Sequence, residues 1–292
     1  MSTPEGRPTA PPANVAAVAD PAAIMARASG ENFPVAGCLL PKRIRGRLLS
    51  VYGFARLVDE LGDSAPGDRI AALDWLEHQL DRAFAGEPDH PLMVPLAATI
   101  AECKLSRGPF ERLLEANRND QRTAHYDRFD DLLAYCNLSA NPVGELVLEI
   151  FGLATEERIA QSNAVCTALQ LVEHWQDIRE DLMQGRVYVP LEDLARFGCT
   201  LEDLEAPRVS SALRGVLALE AARTAALLED GRPLVRGLRG WPRLAIAGFV
   251  GGGRAALSAL ARADYEVLAL RPRASRRRTI GSILRAFDGS AR

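Results

Sequence analysis

Cysteine is sparse in this chain of 292 residues, and none of it is arranged for bridging or zinc. Cys38, Cys103, Cys136, Cys166 and Cys199 are scattered, odd in number and free of any C-x-x-C pair. A disulfide framework and a zinc site are therefore not expected, and the simplest setting is a reduced, cytoplasmic one. No apolar run reaches the roughly 18 uninterrupted residues of a membrane span. The first twenty residues lack the basic start and apolar stretch of a secretion signal. Strand-like alternation is missing as well, which leaves no sheet to build. Charge gives no pull toward nucleic acid, since the net value is only −3.

What remains is helical. Met1 to about Asp20 is rich in Pro and Ala and reads as a mobile tail (1–20). Beyond it, apolar residues recur at helical spacing over about 22–30, 42–62, 68–85, 91–104, 108–117, 129–153, 156–183, 191–196, 208–238, 242–263 and 276–287. Gly and Pro punctuate the pattern at SAPGD, GEPDHP, GRVYVP and RGWPR. With no internal repeat and no shift in composition, one all-α domain over 21–272 is expected, followed by a basic segment, 273–292.

Two helices stand out for their acids. In RIRGRLLSVYGFARLVDELGD (43–63), Arg45, Tyr52, Arg56, Asp59 and Asp63 share one narrow face. Val51, Phe54, Leu57, Val58 and Leu61 cover a broad opposite arc. The two carboxylates meet the negative end of the helix dipole, which costs several tenths of a kcal/mol, and Arg56 can offset part of it. In HWQDIREDLMQGRVYVP (174–190) and the turns before it, Ala164, Ala168, Leu171, Val172, Trp175, Ile178 and Leu182 form the apolar stripe. Gln170, Glu173, Asp177 and Asp181 lie opposite, with Glu180 at the edge. Neither Asp177 nor Asp181 has a Lys or Arg three or four residues away, and Arg179 points elsewhere.

Two charges about 6 Å apart repel by roughly 0.7 kcal/mol in water and about 3 kcal/mol at an effective dielectric of 20. A solvated face tolerates this clustering; a cleft demands a cation. Carboxylates without His or Cys suit Mg²⁺ completed by water and phosphate. Arg45, Arg56 and Arg186 would then bind a diphosphate leaving group.

Other features admit two readings. Phe33, Tyr52, Phe54, Tyr135 and Trp175 either pack a core or offer ring faces to a cation. His174 is either structural or a proton acceptor; His78, His90 and His125 read as surface residues. Asn141-Pro142 is expected to bend its helix. RPRASRRRTIGSILRAF (271–287) is either a solvated basic tail or an amphipathic helix making peripheral contact with an anionic membrane. A di-iron bundle would need inward Glu-x-x-His, found only in the loop EPDH. A non-catalytic scaffold leaves both Asp pairs without a purpose.

Taken with their surroundings, these residues resemble the squalene/phytoene synthase family. The likeness runs through ENFPVAGCLLPKRIRGRLLSVYGFARLVDELGD (31–63), FERLLEANRND (110–120), YDRFDDLLAYCNLSANPVGELVLEIFGL (126–153) and LQLVEHWQDIREDLMQGRVYVP (169–190), and more weakly to about 272. It implies the all-α isoprenoid synthase fold, a helical bundle around a central cavity with the acidic helices across its mouth. SANPVG and HWQDIREDLMQGRVYVP look most like the bacterial hydroxysqualene synthases. That likeness implies Mg²⁺-dependent ionisation of presqualene diphosphate, capture of the cation by water, and coupling to the enzyme that makes this substrate. Condensing relatives, which join two prenyl diphosphates, are the alternative.

By position, Asp59 and Asp63 would be one metal-binding pair and Asp177 and Asp181 the other. Arg45, Arg56 and Arg186 would meet the diphosphate, with Tyr188 beside them, and Tyr52 and Gln170 would lie on the substrate-facing sides. The sequence departs from the family at Leu138, where condensing members carry Tyr, and at Glu173, where Asn is usual. His174 stands for an aromatic or apolar residue, and DELGD for D-D-x-x-D.

Overall fold

The computed structural model describes residues 15, 20–27 and 40–288, apart from the side chains of Arg276, Arg277 and Asp288. Most of the expected tail, together with Phe33, Cys38 and the end of the segment after 288, lies outside the described residues. The described residues form fourteen helices and no strand: α1 (Pro21–Arg27), α2 (Lys42–Asp63), α3 (Arg69–Ala85), α4 (Met93–Cys103), α5 (Gly108–Asp120), α6 (Phe129–Ser139), α7 (Asn141–Ile150), α8 (Glu156–Met183), α9 (Leu191–Arg196), α10 (Leu201–Glu205), α11 (Ser211–Asp230), α12 (Arg232–Gly237), α13 (Gly240–Arg262) and α14 (Arg276–Asp288). The all-α class holds.

The chain divides into two compact units, one running to Arg122 and including Glu145–Ala154, the other comprising Thr123–Gly144 and everything from Thr155 on. In the first unit α2 packs against α3, α4 and α5. The arc read from its spacing is the one that is buried: Val51, Phe54, Leu57, Val58 and Leu61 are all within 3% of full burial. Phe54 meets Phe110 of α5 edge-on, with ring centroids 5.1 Å apart. Asp68 begins α3 by accepting the Ala71 amide at 3.0 Å, satisfying one of the open N–H groups of its first turn.

In the second unit α8 is the organising element, packed by α6, α10, α11, α12 and α13. Thr155 caps its start through the Arg158 amide. Leu171, Val172, Trp175 and Ile178 of the expected stripe are buried. Trp175 also donates its indole N–H to Thr224 Oγ1 at 2.9 Å, so its polar end is satisfied inside the core. Gly251 of α13 lets α14 approach closely: a Cβ there would stand 2.5 Å from the Ile283 Cα.

Three expectations change. The single helix over 129–153 is two helices, because Pro142 removes a backbone donor and the chain breaks after Ser139. Asn141 in this break is buried and accepts Thr167 Oγ1 at 3.0 Å, tying it to α8. The single helix over 208–238 stops at Gly231, just ahead of Pro233, and α10 precedes it. And α13 is long and apolar enough to cross a membrane, with mean hydropathy 1.5 in its best window. Interruption by Arg243 and Arg254 hides it from a search for unbroken apolar runs. Half of that window is buried, against α8, α11, α12 and α14, as in a core helix.

Among the other expectations, Cys103, Cys136, Cys166 and Cys199 are free thiols. His125 is exposed, whereas His78 and His90 are half-buried, the latter edge-on to Trp75.

Candidate active site

The acidic face of α8 is not a wet one. The Asp177 and Asp181 side chains are only 23% and 19% exposed. Asp177 Oδ1 and Asp181 Oδ2 are buried and accept no hydrogen bond. Burial, then the neighbouring Asp177 charge, pushes the Asp181 carboxyl up to about 7, against the pull of Arg186. Burial also raises Asp177, though Arg271 opposes it. Two carboxylates held so far from bulk water are costly unless something positive meets them.

Part of that charge comes from far along the chain. Arg271 donates to Asp177 Oδ2 and, through Nη1, to Glu180 Oε1 at 2.9 Å. The segment that carries it is strapped along α8 twice more: Arg179 donates to the Leu268 carbonyl at 2.7 Å, and Gln176 to that of Pro272. Arg179 thus points away from the acids, as expected. No Lys or Arg stands three or four residues from Asp177, and the basic partner it does have is 94 residues distant in sequence.

A second set of contacts shapes the other end of the face. Gln170 Nε2 lies 3.1 Å from His174 Nε2. An amide nitrogen can only donate, so the imidazole proton sits on Nδ1, 3.9 Å from Asp181 Oδ2. Burial and the Arg186 charge hold the His174 pKa down to about 3, which keeps the ring neutral. Tyr188 stacks on His174 with centroids 3.6 Å apart, and Tyr126 and Tyr135 pack against Tyr188 at 5.9 and 5.7 Å. A small recess beside Asp181 is lined by His174, Ile178, Leu182, Arg186 and Tyr188.

The loop after α8 is positioned by its backbone. Gly185 takes a left-handed φ of 75°, and the Arg186 amide then returns to the Asp181 carbonyl at 2.9 Å. Val187 donates to the Ala124 carbonyl at 2.8 Å, and Leu191 to that of Tyr126 at 3.0 Å. Gln170, Asp177, Asp181, Arg186 and Tyr188 therefore share one neighbourhood of the second unit.

In the first unit, Arg45, Tyr52, Arg56, Asp59 and Asp63 all lie on α2, with Tyr52 buried, Arg45, Arg56 and Asp59 half-buried and Asp63 exposed. Arg56 pairs with Glu60 at 2.8 Å, and Glu60 is itself buried. Its place one turn on lets the guanidinium reach it across a single helical step.

Residues 26–278 match the squalene/phytoene synthase family. The chain belongs to that family. This synthase is 36% identical over 206 residues to the hydroxysqualene synthase of Rhodopseudomonas palustris, covering 70% of each chain. It is 33% identical over 205 residues to that of Zymomonas mobilis, covering 68% of each. Among solved structures, squalene synthase HpnC from Alicyclobacillus acidocaldarius is 46% identical, with a TM-score of 0.78 over 87% of this synthase and 97% of that chain. The synthase accordingly has the all-α isoprenoid synthase fold.

Sequence reasoning missed Arg271 and Tyr126. Tyr126 carries no signal beyond being aromatic beside a loop. Arg271 opens the basic run after α13, but nothing local ties it to an acid on α8.

Proposed function

We propose that this synthase ionises presqualene diphosphate with the help of Mg²⁺ and lets water capture the rearranged cation, giving hydroxysqualene and diphosphate. The observation that carries this reading is the half-buried Asp177 and Asp181 pair with its unpartnered oxygens, in a chain whose relatives include three proteins named hydroxysqualene synthase. The reaction belongs to squalene and hopanoid biosynthesis, fed by the enzyme that makes presqualene diphosphate.

The donor chemistry fits the metal. Among the described residues no three His, Cys, Asp or Glu side chains gather into a ready-made cage. Mg²⁺ does not need one, since it commonly takes one or two carboxylates and completes its shell with water and substrate phosphate. Asp177 and Asp181 would hold it here, and Asp59 and Asp63 on α2 offer the same donor chemistry within the first unit. The bound ion would neutralise the departing diphosphate and so favour cleavage of the carbon–oxygen bond.

The chain's own groups do the rest. Arg186 binds phosphate oxygens, and Arg45 and Arg56 on α2 offer the same chemistry within the first unit. Tyr188 and Tyr52 give polarisable walls, with Tyr188 braced by its stack on His174. Gln170 fixes the His174 tautomer and orientation. In the reaction the leaving diphosphate takes the bonding electron pair, and a water oxygen closes on the cation and releases a proton.

Condensation of two prenyl diphosphates is the second reading, favoured by the solved squalene synthase at 46% identity. Leu138, which stands where condensing members carry Tyr, speaks against it: an alkyl side chain can neither donate nor accept the hydrogen bond of a phenol. The deciding experiment supplies each substrate with Mg²⁺ in ¹⁸O-water. An ¹⁸O-labelled C30 alcohol from presqualene diphosphate is expected. A C30 product from farnesyl diphosphate, with presqualene diphosphate left untouched, would overturn the reading.

A further inference from the structure

The charge of this chain is unevenly spread. From Gly231 to Phe287 there are twelve arginines and two acids, Asp264 and Glu266, although the whole chain carries a net −3. Some of these arginines have local partners: Arg232 and Arg254 pair with Glu229, and Arg271 with Asp177 and Glu180. Arg239, Arg278 and Arg285 are exposed, and among the described residues no carboxylate lies within ion-pair distance of them.

Apolar side chains are exposed in the same region. On α14, Ser282 and Ala286 turn inward, and the Ile283 backbone lies against Gly251 of α13. The opposite side presents Ile280 and Leu284, one turn apart and 58% and 59% exposed, with Arg278 and Arg285 together along one edge of that side. Arg243 of α13 lies over the Phe287 ring, 4.5 Å from its centroid, and donates to the Phe287 carbonyl. This contact joins the end of α14 to the start of α13, where Trp241 is 42% exposed. Leu270, on the link between the two helices, is 61% exposed.

We propose that this face of α13 and α14, Trp241, Ile280 and Leu284 bordered by Arg239, Arg278 and Arg285, docks on an anionic phospholipid bilayer. Exposed apolar side chains interleaved with unneutralised arginines match an interface that is hydrocarbon beneath and negatively charged above. Arginine favours this setting, because its guanidinium bridges phosphate oxygens while its stem covers apolar surface. An aromatic ring beside aliphatic residues suits the headgroup boundary. A protein partner would equally need acidic groups, but a bilayer requires no matching shape.

Co-sedimentation of the full chain with vesicles tests it. Vesicles of phosphatidylcholine with about one third phosphatidylglycerol should retain the protein, and pure phosphatidylcholine should not; raising salt from about 0.05 to 0.5 M should release it. Of the three tryptophans, Trp75 and Trp175 are buried, so a blue shift on binding should come from Trp241 and vanish in Trp241→Phe. Ile280→Ser with Leu284→Ser should weaken partitioning at least tenfold. Arg278→Gln with Arg285→Gln should weaken it several-fold and flatten the salt dependence. Unchanged thermal unfolding of both double variants keeps the comparison fair. Equal partitioning of wild type and both variants would overturn the proposal. So would a concentration-dependent dimer, lost in the same variants, without vesicle binding.

Discussion

The acids of α2 and those of α8 look alike in sequence and live in different physical conditions. On α2 the most buried acid, Glu60, already has its cation in Arg56, and Asp63 is open to water. On α8 both aspartates are half-buried, each keeps an oxygen without a hydrogen bond, and Asp181 titrates near neutrality. Glu60 is met by a guanidinium and Asp63 by water, while the pair on α8 stores electrostatic cost that a divalent ion would relieve. Identical spacing therefore does not mean identical readiness for a metal.

The sharpest way to break this comparison is to remove the charges one at a time. Asp177→Asn and Asp181→Asn should each lower turnover of presqualene diphosphate by about a thousandfold or more, as loss of preorganised charge stabilisation generally does. Asp59→Asn and Asp63→Asn should also lower turnover if both pairs hold metal. Steady-state rates over a range of Mg²⁺ would show the deficit as a change in metal dependence.

Stability without metal should separate the helices next. The Asp181 carboxyl titrates higher in the folded protein than in the unfolded chain, so between about pH 4 and 7 the folded state binds more protons. Its contribution to stability thus falls as pH rises through that window and stays low above it. Asp181→Asn should gain about 2–4 kcal/mol over wild type at pH 8 in chelator, and almost nothing at pH 4. Asp63→Asn, on an exposed side chain, should shift stability by less than about 0.5 kcal/mol at either pH. Chemical denaturation at the two pH values measures both.

Packing behind each acidic helix gives a smaller effect. Thr224→Val strands the buried Trp175 N–H behind α8 and should cost about 1–3 kcal/mol. Gly62→Ala on α2 places a Cβ 2.1 Å from Asn117 Oδ1 and should cost about 1–3 kcal/mol unless Asn117 turns aside. Smallest of all, Arg271→Ala should tighten Mg²⁺ binding to the substrate-free protein about three- to tenfold by vacating Asp177, readable by calorimetry. Unaltered or weaker binding would show that Arg271 does not compete with the ion.

Much of this was legible in the chain itself. The stripes of α2 and α8 follow directly from helical period and apolar side chains, and so do the faces that carry the acids. Family likeness placed the candidate ligands. Local sequence could not show how wet those faces are, because burial of Asp177 and Asp181 depends on elements packed from elsewhere. Arg271 was out of reach for the same reason, whereas the pairing of Arg56 with Glu60 is a matter of side-chain reach on one helix. The break after Ser139 was visible as Asn141-Pro142, though as a bend rather than a gap; the short α10 has too few turns to show a period.

Gly185 has a consequence for engineering as well as for folding. Because it alone takes the mirror-image backbone turn after α8, it acts as the ruler from which Arg186 and Tyr188 are measured. A side chain at that point would disturb the guanidinium and the phenol together, so substitutions there should never separate the loss of one from the loss of the other.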